Sequence, residues 1–206
     1  MTDEGYIKFD LEWVRSAAPD ALETAALREW RRPLFDRGLI GHCRDLNLGY
    51  GNISVRSQGI GHFIISGTQT GHLRDPGERS YTRVTAYDIA ANRVRCEGAI
   101  RASSESMTHA ALYELSPNIN AVVHVHSATL WQKLIDILPT TAPSAAYGTP
   151  AMAGEFRRLY RDTAFAQDGI AIMAAHNEGI VSTGHNMAEA SRRILALCDK
   201  ILVPAR

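Results

Sequence analysis

Residues 103–127 read SSESMTHAALYELSPNINAVVHVHS, and the rest of the chain is interpreted from this stretch. It closes on Ala121-Val122-Val123-His124-Val125-His126, an apolar run carrying two histidines two apart. Side chains alternate across a strand, so His124 and His126 leave the same face side by side. Two neutral imidazoles from one strand suit a divalent ion. Ahead of the strand, Leu112 and Leu115 stand three apart, with Ser103 or Ser104 able to cap the start. That pattern predicts a helix whose first turn holds Glu105. Ser116-Pro117-Asn118 stops the helix and turns the chain. A helix running back along the strand brings Glu105 over the histidine pair. Two polar residues on the outer face of a half-buried strand have the same signature, so the stretch by itself leaves both a metal site and a plain strand open.

The whole chain has 206 residues, enough for one domain with a substantial core. Lysine plus arginine equals aspartate plus glutamate at 22 each, which gives no sign of a nucleic-acid or anionic-membrane partner. No apolar run reaches membrane-spanning length, and the acidic start Met1-Thr2-Asp3-Glu4 is unlike a signal peptide. Cys43, Cys96 and Cys198 are far apart and read as reduced thiols, which predicts a cytoplasmic protein.

Residues 1–18 have no sustained period and predict an extended arm, with Phe9, Leu11 and Trp13 alternating so as to pack on a neighbour. The domain then runs 19–206. Pro19-Asp20 opens a helix through Leu22, Ala26, Leu27, Trp30 and Leu34 that ends near Gly38 and Gly41. Arg28, Arg31 and Arg32 on it read as a solvated face. Gly49–Arg56 and Phe63–Ser66 read as strands joined by a turn at Gln58-Gly59-Ile60-Gly61. Asn52 and Ser54, two apart, share one face of the first. Ser66-Gly67-Thr68-Gln69-Thr70-Gly71 is rich in hydroxyls and glycine and able to wrap an anion, although it is no Walker motif. Later elements are a helix over 128–138, another capped by Thr149 and begun by Pro150, and a strand at 170–174. That strand runs on into His176-Asn177-Glu178-Gly179. A last helix over 187–201 follows Asn186 and Glu189.

Ser103-Ser104-Glu105, His109 and His124-Val125-His126 resemble the core signature of the class II aldolase/adducin family, whose members include fuculose-phosphate aldolases and ribulose-phosphate 4-epimerases. Gly51-Asn52-Ile53-Ser54 is similar to its G-N-x-S motif, and Gly179 and Gly184 are spaced like the glycines after its last ligand. The resemblance spans about Ala21 to Leu197. It implies an α/β fold: a central, mainly antiparallel sheet flanked by helices on both faces, in a homotetramer with sites between subunits. It implies a divalent metal, zinc first, with manganese, cobalt or iron as other fits. It implies a small-molecule substrate whose anionic end meets Asn52, Thr68, Gly71, Ser103 and Ser104. The family's loop there usually carries a proline that this chain lacks, so a carboxylate or a hydroxyl-rich end competes with phosphate. The activity implied is a metal-dependent aldolase-type lyase acting on a small hydroxy-carbonyl, sugar or sugar phosphate through a metal-stabilised enediolate. The resemblance implies that Glu105 both binds the metal and moves a proton. Epimerases, dehydratases and decarboxylases share the scaffold, and an adducin-like interaction module or an iron-dependent oxygenase are the alternatives from other classes.

Two positions depart from the family pattern. The family's third histidine stands directly before the first glycine, where this chain has Glu178, with His176 two residues earlier. On a continuing strand both share a face. His176 is the preferred ligand because it leaves the ligand set unchanged, and Glu178 then braces a ligand or serves as acid or base. The family's proton-donating tyrosine also has no counterpart in register, the nearest phenol being Tyr147. His109, one turn beyond Glu105, reads as a packed or bracing histidine. His42, His62, His72 and His185 read as loop histidines.

Overall fold

The computed structural model describes residues 5–43, 45, 47–57 and 62–202. In chain order the elements are β1 (Asp10–Arg15), α1 (Ala21–Asp36), β2 (Gly41–Cys43), β3 (Leu48–Tyr50), β4 (Asn52–Arg56), β5 (Phe63–Ser66), β6 (Tyr81–Asp88) and β7 (Arg93–Gly98). Then follow α2 (Ser106–Leu115), β8 (Ala121–His126), α3 (Ala128–Leu134), α4 (Pro150–Asp162), α5 (Phe165–Asp168), β9 (Ile170–Ile172), β10 (Gly179–Gly184) and α6 (Met187–Leu202). Eight strands form one sheet in the order β1-β7-β6-β5-β4-β8-β10-β9, and β2-β3 is a separate hairpin. Every pairing in the large sheet is antiparallel except β1 with β7.

The apolar run 121–126 becomes the interior strand β8, paired on one side with β4 and on the other with β10, and all six residues are buried. Burial on both faces is why it lacks the polar alternation of a one-sided strand. Ala121, Val123 and Val125 enter the layer that also holds Leu27 and Leu34 of α1, Leu130 of α3 and Ile194 of α6. Val122 enters the opposite layer, with Leu112 of α2 and with Met152 and Phe156 of α4. His124 and His126 share the Val122 face by alternation. Helices therefore cover both faces, and the histidines point into the layer of α2 and α4.

Three of the helix ends read from sequence form as expected. Asp20 accepts from the Glu23 amide at 2.8 Å and Glu23 reaches back to the Asp20 amide at 3.0 Å, a reciprocal capping box for α1. Thr149 caps α4, which begins at Pro150. Gly38 ends α1 in the left-handed region, with φ 68°.

Several boundaries differ from the periodicity. Residues 49–56 split at Gly51, whose φ of 73° turns the chain between β3 and β4. The helix after Ser127 closes at Leu134, short of the expected 138. Glu105 is the residue before α2, and Ser103 receives its amide at 3.3 Å without capping the first turn. The turn expected at 58–61 lies outside the described residues. Residues 10–15, expected as a free arm, instead add β1 to the sheet, from Asp10 opposite Arg93 to Arg15 opposite Gly98. Phe9 is buried in the core of its own chain and the Trp13 indole donates to the Gly98 carbonyl at 3.1 Å. The edge of β7 offered unpaired backbone groups, and the alternation at 9–13 answers it within the chain. The arginines of α1 also divide. Arg28 and Arg32 make exposed ion pairs with Glu78 and Asp75, whereas Arg31 is 0% exposed.

Candidate metal centre

Three imidazoles converge on the Val122 face of the sheet. His124 Nε2 lies 3.0 Å from His126 Nε2 and 3.2 Å from His176 Nε2. All three side chains are buried, and among the described residues they form the one group whose nitrogens are placed to hold a metal ion. Strand alternation supplies the first two. His176 arrives differently, because β9 stops at Ile172 and residues 173–178 form a turn. The His176 amide donates to the Met173 carbonyl at 3.1 Å, and the Gly179 amide donates to the His176 carbonyl at 2.8 Å. The turn folds His176 inward and leaves Glu178 exposed, in the left-handed region with φ 66°. The expectation that the two share a strand face is therefore corrected: a turn separates them, and only the histidine joins the cluster.

Gly179 makes the crowding feasible. It stands opposite His126 in the β8–β10 register, and a Cβ there would lie 2.7 Å from His176 Cδ2 and 3.2 Å from His124 Cε1. On the other side Asn52 stands opposite His124 in the β4–β8 register. The G-N-x-S motif thus places Asn52 beside the imidazoles and Ser54 one pleat further along. Ser54 Oγ lies 2.6 Å from His109 Nδ1 and 2.8 Å from the Tyr113 hydroxyl, a buried polar chain beneath the site. His109 stays outside the cluster, as expected.

Glu105 enters from the start of α2. Its carboxylate is 3.0 Å from His176 Nε2 and 3.9 Å from His124 Nε2, yet neither oxygen, both buried, accepts a well-aligned hydrogen bond. A carboxylate this deeply buried is costly unless positive charge offsets its desolvation. Burial holds the His124 and His126 imidazoles well below their usual pKa, so they are neutral and able to bind metal at neutral pH. For Glu105, burial alone would raise the pKa, but His176 first and His124 second keep it below the usual carboxylate range. Three converging imidazoles, two of them held neutral by burial, and one buried carboxylate fit a divalent cation.

Two spaces adjoin the cluster. A small polar crevice is lined by Asn52, Thr68, Gly71, Ser103 and Ser104 with Glu105 itself, so the anion-binding residues read from the sequence come together. A larger cavity of about 510 Å³ opens beside His126, between Leu48, Tyr50, Cys43 and Glu178. Tyr50, with its ring 5.7 Å from that of His126, had no spacing signal in the sequence. Tyr147 packs its ring 4.4 Å from the ring of His176, while its hydroxyl donates to the Tyr6 carbonyl at 3.2 Å. It is a wall of the site.

A model of the class II aldolase and adducin N-terminal domain matches residues 39–199. The chain belongs to the class II aldolase/adducin family. Family likeness extends to solved structures of low identity, which shows a shared fold. L-fuculose-1-phosphate aldolase from Thermus thermophilus superposes with a TM-score of 0.64 at 20% identity, over 89% of this chain and 93% of that one. A sugar-phosphate aldolase from Thermotoga maritima gives 0.64 at 16% identity, over 88% and 93%. The N-terminal class II aldolase domain of a Thermoplasma acidophilum protein gives 0.57 at 13% identity, over 91% and 97%. Among the described residues no helix is long and apolar enough to cross a membrane.

Burial of His109 predicts an acid-sensitive fold. Burial lowers its pKa from 6.5 to about 4. The unfolded chain therefore takes up the proton first, and stability present above pH 6.5 is lost as pH falls towards 4. A difference of that size corresponds to roughly 3 kcal/mol. Denaturant unfolding of metal-stripped protein at neutral pH and near pH 4.5 should show the loss, and His109→Gln should make it smaller by the His109 share, with the buried His124 and His126 contributing the rest. An unaltered profile in that variant would assign the acid sensitivity elsewhere.

Proposed function

We propose that this protein is a metal-dependent aldolase-type lyase acting on a small hydroxy-carbonyl or sugar substrate with an anionic end. The observation that carries this reading is the buried Glu105 carboxylate facing three converging, buried imidazoles at the edge of a polar crevice. Glu105, His124, His126 and His176 would hold the ion, with zinc the best fit to three nitrogens and one oxygen. When bound, such an ion supplies Lewis-acid polarisation of a substrate oxygen.

The remaining work falls to the chain's own groups. Asn52, Thr68, Gly71, Ser103 and Ser104 bind the substrate's anionic end with amides and hydroxyls, which orients the reacting carbons towards the imidazoles. Glu105, buried at the edge of the crevice, would move a proton. Glu178, exposed beside the larger cavity, is the candidate second acid or base, acting on a group that extends past His126. Epimerisation, dehydration and decarboxylation would use the same placement and differ in the bond broken. A homotetrameric assembly is part of the proposal by family likeness.

Elemental analysis of the purified protein should find about one divalent ion per chain. A panel of ketose phosphates and 3-keto acids, assayed for cleavage and for decarboxylation, should then reveal turnover. Absence of bound metal after loading with zinc, manganese or iron would favour an adducin-like interaction module instead.

A further inference from the structure

The crevice beside Glu105 is assigned above to an anionic group, yet its lining contains no lysine or arginine among the described residues. It holds glycines, hydroxyls, amides and the Glu105 carboxylate. The missing positive charge lies one layer behind. Arg31, near the middle of α1, is 0% exposed and has no ion-pair partner among the described residues. Its Nε donates to the Leu73 carbonyl at 2.7 Å, and its Nη2 donates to the carbonyls of Thr70 at 2.7 Å and Gly71 at 3.2 Å. Nη1 is buried without a partner among the described residues. Tyr81, which acts electrostatically on it, is a buried phenol whose pKa burial raises to about 12, so it brings no negative charge at neutral pH.

An uncompensated buried guanidinium is strongly disfavoured unless something offsets its desolvation. Three carbonyl dipoles offset part. Thr70 and Gly71, whose carbonyls Arg31 holds, also line the crevice. In a trans peptide the N–H points opposite to the C=O, so holding the Thr70 carbonyl turns the Gly71 amide away from the cation. The turn has no slack at Gly71, where a Cβ would overlap the Gly41 carbonyl. Arg31 therefore sets the shape of the crevice wall and supplies a positive potential through it, in surroundings where screening is weak.

We propose that Arg31 is a positioning residue that makes the crevice selective for an anionic substrate end, acting through the Thr70–Leu73 backbone without touching the ligand. This rests on the reading of the crevice as the substrate's anion subsite. Inorganic phosphate is the probe, titrated calorimetrically into wild type, Arg31→Lys and Arg31→Gln, with metal content measured on each. Phosphate binding at the metal ligands is common to all three proteins and cancels in the comparison. Affinity should fall in order, several-fold for lysine, which keeps the charge but not the fork, and at least about tenfold for glutamine, which loses both. Metal content should hold, and with an active substrate the loss should fall on KM more than on kcat. Should Arg31→Gln not fold, Arg31→Lys decides the matter. Wild-type phosphate affinity in a folded Arg31 variant overturns the proposal, as does loss of metal in step with phosphate, which would mark a general structural role. Wild type that binds metal but not phosphate overturns the proposal and leaves the metal-enzyme reading standing. Wild type that binds phosphate without metal fails that reading alone.

Discussion

His176→Ala is expected to lose bound metal and turnover together, while Glu178→Gln keeps most of the metal and loses rate. The effect of the first should be large. Even residues that only brace a ligand cost about 10- to 100-fold in metal affinity when changed, so removing one of three imidazoles should cost at least about 100-fold. The contrast rests on the turn at residues 173–178. His176 is 3% exposed, with Nε2 3.2 Å from that of His124, whereas Glu178 is exposed in the left-handed region. Reaching the cluster from Glu178 would require rebuilding the turn that Gly179 closes against the His176 carbonyl. Elemental analysis and activity on both variants check this. Metal lost only on changing Glu178 would point to a site of two histidines and two carboxylates.

The second large effect is expected for Glu105→Gln. Glutamine keeps the shape and removes the charge and the proton-accepting oxygen. If Glu105 moves the proton, turnover falls by about two to four orders of magnitude, the usual range for a removed acid–base group. Substrate affinity should change far less, because the crevice residues that bind the anionic end are untouched. Metal occupancy measured alongside separates the two roles of the carboxylate. A rate loss matched by metal loss marks a ligand only, whereas a rate loss at full occupancy marks the proton carrier. A near-normal rate would leave Glu105 as a structural group at the start of α2.

The sequence by itself determined the elements of the site that depend on short-range periodicity. His124 and His126 share a face because a strand repeats every two residues, and Asn52 and Ser54 do so for the same reason. Asp20, Thr149 and Gly38 marked helix ends because unsatisfied helix-end groups need local partners. The ordered motifs S-S-E, H-x-H and G-N-x-S identified the family and, with it, the sheet flanked by helices on both faces. Only the tertiary structure decided the rest. His176 against Glu178 depended on where β9 stops, which local propensity leaves open for three apolar residues running into a turn. Residues 10–15 looked like a free arm because their partner, β7, lies far along the chain, and pairing at that separation leaves no local trace. Arg31 looked solvated beside Arg28 and Arg32, since helical spacing shows which residues lie near one another but not what covers them. Its burial came from the Thr70–Leu73 carbonyls packing over one turn of α1, a contact between segments distant in the chain.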